Sequence, residues 1–357
     1  MHKKLMIPGP TEVLEDRLLK MATPMIGHRM AEYSELQKSV IPKLQKALYT
    51  ENKIIVGTCS GSGLMEAATR NMSKKKILGT NCGAFSKRWT QIAKKNGKDI
   101  DVIEVEWGKH VPTKLIDEKL ATGEYDLLLY THNETSTGVM NPIEEVAELM
   151  KTKYPDVLWA VDAVSSMMGA KLEVDKLGVD FILASMQKAF ALPPGFAIGP
   201  VSDRALEYAE TVPDRGHYFD FKTMMSKYEK WQTPITPSIA HLYALDYQMT
   251  KIIEEEGLDN RWQRHIDMAE YVRDWAKKYF GIFAEEGYES LTVTCVENTR
   301  GIDVKDLSAK LGERGYAFAN GYGNLKGKTF RIAHMGDVTL GEIKNYLSTI
   351  NDILGLC

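Results

Sequence analysis

From about residue 52 to residue 200, short apolar runs alternate with amphipathic stretches, and this rhythm constrains the fold more than any other feature of the chain. Residues 54–56, 76–80, 101–105, 127–130, 158–161, 181–183 and 196–198 read as strands, and residues 64–71, 85–96 and 143–153 read as helices. Strands that alternate with helices need crossover connections, so the expected class is α/β with a mainly parallel sheet covered on both faces. A long helical stretch at 239–256 leads into another at 258–280, and beyond Gly281 the pattern changes to a strand at 291–294 and a helix at 304–312. Ile343, Leu347, Ile350 and Leu354 then fall on one helical face. With 357 residues to place, two domains are expected: a large one over 1–256 with an N-terminal arm at 1–20, and a smaller α+β one over 257–357.

Composition excludes more than it identifies. Apolar residues at 44% and charged residues at 26% describe an ordinary globular chain. A net charge of -3 gives no general attraction to nucleic acid or anionic membranes, and Lys74-Lys-Lys76 reads as a solvated helix end. The opening segment meets Pro8 before any long apolar core forms, so no signal peptide is expected, and no run approaches a membrane span. Cys59, Cys82, Cys295 and Cys357 are scattered without metal-ligand spacing, which points to reduced thiols, a cytoplasmic location and no metal site.

Three segments carry chemistry. Gly57-Thr-Cys-Ser-Gly-Ser-Gly63 lies between a strand and a helix, where unpaired N–H groups and the macrodipole suit a phosphate. It matches neither nucleotide-binding glycine pattern, and taken alone it is equally a βα turn with a Ser cap. Thr131-His-Asn-Glu-Thr-Ser-Thr-Gly138 is a run of polar residues at the carboxyl edge of the sheet, where ligands bind in such folds. Asp162 and Lys188 each end an apolar run, placing opposite charges at corresponding ends of two neighbouring strands. An amine there can form a Schiff base, and a carboxylate can keep a pyridine nitrogen protonated. Each charge taken alone is also an ordinary strand-end residue.

Together these residues resemble the class V, fold type I pyridoxal-phosphate aminotransferases, close to the alanine-glyoxylate and serine-glyoxylate (serine-pyruvate) enzymes. The resemblance runs through Pro8-Gly-Pro-Thr-Glu-Val13, Gly27-His-Arg29, Ser60-Gly-Ser-Gly63, His132 to Gly138, Val161-Asp-Ala-Val-Ser-Ser166, Ser185-Met-Gln-Lys-Ala189, Thr233-Pro-Ile-Thr-Pro237 and Phe330-Arg-Ile-Ala-His-Met-Gly336. It implies that Lys188 carries the cofactor as a Schiff base and Asp162 faces its ring nitrogen. It further implies that Ser60, Gly61, Ser62 and Gln187 hold the phosphate, that Phe85 stacks on the ring, and that Thr135 contacts the ring's oxygen or nearby atoms. Arg331 would clamp the substrate carboxylate, with Gly9 lining the same pocket. Thr233 and Thr236 would reach the neighbouring subunit's phosphate, which implies a homodimer with shared active sites.

The resemblance also implies a ping-pong transfer from a small amino acid, alanine or serine, to glyoxylate or pyruvate. A 2-aminoethylphosphonate-pyruvate aminotransferase, with Arg29 meeting the phosphonate, and a catalytically silent cofactor-binding regulator are the alternatives. Near Arg331 the chain departs from the family: Ala319-Asn-Gly-Tyr-Gly-Asn324 replaces a frequent double glycine, and Ala333 replaces a usual glycine. Met335 stands where related cysteine desulfurases place their cysteine, which disfavours desulfuration.

Overall fold

A computed structural model describes residues 2–357. Its centre is a seven-stranded sheet built from β1 (Lys53–Gly57), β2 (Lys76–Asn81), β3 (Asp99–Glu104), β4 (Tyr125–Thr131), β5 (Leu158–Asp162), β6 (Phe181–Ser185) and β7 (Ala197–Val201). The order across the sheet is β1-β7-β6-β5-β4-β2-β3. Neighbours from β6 to β3 are parallel, and β7 alone runs against both of its partners.

Apart from the edge strand β3, with its Asp99, Asp101 and Glu104, the strands are largely buried because both faces are covered. In β4, Leu127 and Leu129 pack into one cluster while Leu128 and Tyr130 pack into another, as the two-residue side-chain period requires. The first cluster is completed by helices α2 (Gly61–Asn71) and α3 (Ala84–Lys95) through Leu64, Met65 and Trp89. The second receives α1 (Ala31–Leu48), α4 (Ile143–Lys153) and α5 (Ile239–Thr250). The expected parallel sheet with helices on both faces is therefore what forms.

Helix α6 (Leu258–Tyr279) joins this body to a four-stranded antiparallel sheet of β8 (Gly281–Ile282), β9 (Val293–Glu297), β10 (Ala319–Asn320) and β11 (Thr329–Ala333). Trp262 of α6 belongs to the large core, whereas Met268, Val272 and Trp275 join Phe330 and Ile332 in a third cluster. Helices α7 (Val304–Glu313) and α8 (Leu340–Leu354) close that cluster, with Ile343, Leu347 and Ile350 of the expected helical face inside it. The N-terminal segment reaches the same layer: Lys4 and Leu5 pair in parallel with Tyr316 and Ala317.

Two sequence expectations shift. The strand read at 291–294 forms as β9, because Thr292 is instead tied to the large sheet's loops, its hydroxyl donating to the Ser165 carbonyl at 2.6 Å. The helix read at 239–256 is α-helical to Thr250 and continues as one π-helical segment, Lys251–Glu256, before Gly257 at φ 80° breaks it. Buried Arg261 in α6 locks the bodies together. It donates to the carbonyls of Met168 (2.9 Å) and Ala189 and pairs with Glu256 at 2.8 Å and Asp337 at 3.4 Å.

Candidate active site

All the functional loops leave the carboxyl ends of parallel strands, so the sheet delivers them to one edge. Asp162 ends β5, Lys188 stands three residues beyond β6, Ser60 to Ser62 follow β1, and Asn133 to Thr135 follow β4. Gly9, Ser60, Gly61, Ser62, Phe85, Thr135, Asp162, Gln187 and Lys188 line one cavity of about 250 Å³. Arg331, in β11, meets it at the margin, where its guanidinium donates to the Thr135 carbonyl at 3.4 Å.

Lys188 is 8% exposed. Its ammonium donates to the Pro8 carbonyl, and a side chain at position 9 would collide with it, since a Cβ there would lie 2.9 Å from Nζ. Gly9 at φ 112° is thus required both by its backbone and by the amine it abuts. Burial, reinforced by the positive charge of Arg331, lowers the Lys188 amine to about 8. Asp162 accepts a hydrogen bond from the Val164 N–H at 2.9 Å. Burial raises its carboxyl to about 7, with the charge of Glu134 adding to the rise.

The phosphate-type loop opens α2. Ser60 is its N-cap residue, yet its hydroxyl caps no helix N–H, which leaves first-turn donors for an anion. Gly61 is obligatory, because a Cβ would sit 2.7 Å from the Val164 methyl. Around the cavity, the buried polar atoms Asn133 Oδ1, Ser185 Oγ and Gln187 Oε1 have no partner. Buried acceptors and hydroxyls are rarely left so, and a polar guest in the cavity would satisfy them.

Phe85 is placed by a device the polar-loop motif only hinted at. The buried Glu134 carboxylate accepts from the backbone N–H groups of Phe85 (3.0 Å), Ser86 (2.8 Å) and Ser136 (3.0 Å), sitting at the N-terminus of α3 as helix electrostatics favours. Its approach needs Gly83, where a Cβ would lie 2.6 Å from the Glu134 carboxyl carbon. Thr135 exchanges a hydrogen bond with Ser165 at 2.5 Å. His132 is buried against Ser166 at 2.9 Å, and burial lowers it to about 4, so it is neutral.

Sequence reasoning missed Asn133, Ser185 and Arg88 as cavity residues. Arg88 was visible in principle, standing three residues after Phe85 and so on the same helix face. Asn133 and Ser185 lie inside segments the sequence singled out, the polar run 131–138 and the run 185–189, but nothing in those runs marks these two residues above their neighbours. Thr233 and Thr236 are not brought to Lys188. They line a separate groove with Val56, Thr58 and Tyr228, and the Thr233 hydroxyl donates to the Ile235 carbonyl at 2.8 Å. Arg29 donates to the carbonyls of Thr233 and Pro234 there, away from the Lys188 cavity.

A family model described as aminotransferase class-V matches residues 22–325. An uncharacterized aminotransferase of Methanocaldococcus jannaschii is 38% identical, over 98% of this chain and 91% of that one. The L-aspartate–glyoxylate aminotransferase of Paracoccus denitrificans is 32% identical over 94% of this chain and 87% of its own. Among solved structures, an alanine–glyoxylate aminotransferase of Nostoc sp. superposes with a TM-score of 0.91 at 28% identity, covering 99% of this chain and 96% of that one.

Proposed function

The chain belongs to the class-V aminotransferases, pyridoxal-phosphate enzymes, and from that premise we propose that it moves the amino group of a small amino acid, alanine or serine, to glyoxylate or pyruvate by a ping-pong mechanism. The observation that carries this is the presence of a buried amine, Lys188, and a buried carboxylate, Asp162, in one cavity that also holds the unpartnered buried polar atoms of Asn133, Ser185 and Gln187. Two of the relatives are named for glyoxylate, which supports that acceptor.

The cavity fits the cofactor. Ser60, Gly61 and Ser62 at the α2 N-terminus, with Gln187, suit its phosphate; Phe85 offers a flat apolar cover; Thr135, Asn133 and Ser185 offer hydrogen bonds at the ring. When bound, pyridoxal phosphate supplies a carbonyl that condenses with amines and a ring that takes up electrons from the adjoining carbon. The chain's part is to bind, orient and move protons. Asp162, ionised beside a cationic ring nitrogen, keeps that nitrogen protonated. Lys188 Nζ, with its basicity already lowered toward neutrality, takes the proton from the substrate α-carbon and gives it back on the other side of the transfer. Arg331 offers the substrate carboxylate two parallel N–H groups from its half-buried guanidinium. Donor amine and acceptor carbonyl are exchanged, so one oxo acid and one amino acid leave.

The proposal includes a cytoplasmic homodimer in which Thr233 and Thr236 complete the partner's phosphate site, with residues 1–256 holding the cofactor and 257–357 closing on the substrate. Their position in a groove apart from this chain's own Lys188 supports a role across an interface, as do the exposed Leu18, Leu19, Met25 and Met30. Arg29 is engaged in that groove, so no observation favours a phosphonate donor.

The test is a matrix of amino donors and oxo acids with the purified holoenzyme. Alanine or serine should convert the cofactor to its amine form and glyoxylate or pyruvate should restore it, while Lys188→Ala should lose turnover by roughly 10²–10⁴-fold. Failure of every donor to convert the cofactor would overturn the reading.

A further inference from the structure

The cavity holds one more cation than the proposed chemistry uses. Arg88 lines it, and among the described residues no carboxylate forms a close ion pair with it, although Asp162 in the same cavity feels its charge. Its guanidinium lies 4.8 Å over the Phe85 ring, and one of its nitrogens donates to the Tyr322 hydroxyl at 3.3 Å. A half-buried guanidinium held in place by an aromatic face and a phenol keeps most of its N–H donors for something else. Tyr322 stands in the loop between β10 and β11, the strand of Arg331. Its ring stands 5.2 Å from Phe85, and the Arg331 guanidinium lies 5.4 Å over it. The phenol therefore spans two cations, with Arg331 at its face and Arg88 at its hydroxyl.

We infer that Arg88, positioned by Tyr322, binds a second carboxylate, and that the donor pocket takes a short acidic amino acid, aspartate in chemical class, beside the neutral small donors. With Arg331 engaging the α-carboxylate, a side-chain carboxylate alongside Tyr322 meets Arg88. Charge-assisted pairs in a partly buried site are strong enough to discriminate, whereas a neutral methyl or hydroxymethyl side chain leaves Arg88 unsatisfied. This deepens the aminotransferase reading and rests on it.

The experiment compares binding of succinate with binding of propionate to the holoenzyme by calorimetry, which needs no turnover. Wild-type protein should bind succinate more tightly by on the order of tenfold, the size of one modest charge-assisted contact. Arg88→Met should bring the ratio of the two affinities close to one, Arg88→Lys should keep part of the preference, and Tyr322→Phe should reduce it. The ratio of kcat/KM for aspartate to that for alanine should fall in parallel. Because both quantities are ratios within one protein, a general loss of folding or cofactor loading does not mimic the effect. A wild-type protein without preference for succinate, or a preference that survives Arg88→Met, overturns the inference. Neither result touches the aminotransferase reading, which falls only if no amino donor converts the cofactor.

Discussion

At the scale of single residues, burial sets the chemistry. The Lys188 amine falls to about 8 and the Asp162 carboxyl rises to about 7, both chiefly from desolvation. In cofactor-free protein, pyridoxal phosphate should therefore add to Lys188 at a rate that climbs through pH 8, where a solvated lysine would climb near 10.5. Stopped-flow absorbance across pH 6 to pH 10 would show this; a rate still climbing unchanged through pH 10 would contradict it. Asp162 has the opposite consequence for stability. Its folded value lies above the ordinary carboxyl value of 3.8, so folding is penalised as pH rises above 3.8 and the penalty is complete above about 7. Asp162→Asn removes the penalty. The cofactor-free variant should be more stable than wild type at pH 8, by a few kcal/mol at order of magnitude, with the gap closing toward pH 4. Urea titrations at the two pH values read it directly.

At the scale of elements, the decisive object is the start of α3, where the Glu134 carboxylate gathers three backbone N–H groups and so fixes Phe85 and Arg88. Gly83→Ala should push the carboxylate away, costing about 1–3 kcal/mol of stability and weakening cofactor binding. Denaturation midpoints and cofactor titration check both effects, and an unaltered cofactor affinity would separate Phe85 from this anchor. The large sheet was legible from the sequence because all of its strands except the edge strand β3 carry buried apolar runs, and the helix at Ile143–Lys153 forms at the bounds its periodicity marks. The loops were legible by position, since Asp162 and Lys188 end adjacent apolar runs. What lay hidden was long-range pairing. Glu134 sits inside a motif that reads as a binding loop, but its partner is a helix start some fifty residues earlier in the chain, and no local pattern announces that contact. Arg88 likewise looks like any charged residue on an amphipathic helix until Phe85, Tyr322 and Arg331 are brought around it.

At the scale of the whole molecule, a parallel sheet presents loops at its carboxyl edge while a second sheet brings Arg331 against them from the far end of the chain. Arg261 ties the Lys188 loop, through the Ala189 carbonyl, to Asp337 just past β11. Thr233 and Thr236 lie outside this chain's cavity, and the proposed homodimer assigns them to the partner's phosphate site. Sedimentation equilibrium should give a dimer, and the pair Thr233→Ala with Thr236→Ala should lower cofactor retention without changing that mass. A monomer that retains cofactor would remove the shared-site proposal. Lys188, and no other lysine, is expected to anchor the cofactor in the cavity it shares with Asp162. Borohydride reduction of the holoenzyme followed by peptide mass mapping tests it. The expected result is a single pyridoxyl-modified peptide containing Lys188, and modification at another lysine, or at none, would contradict it.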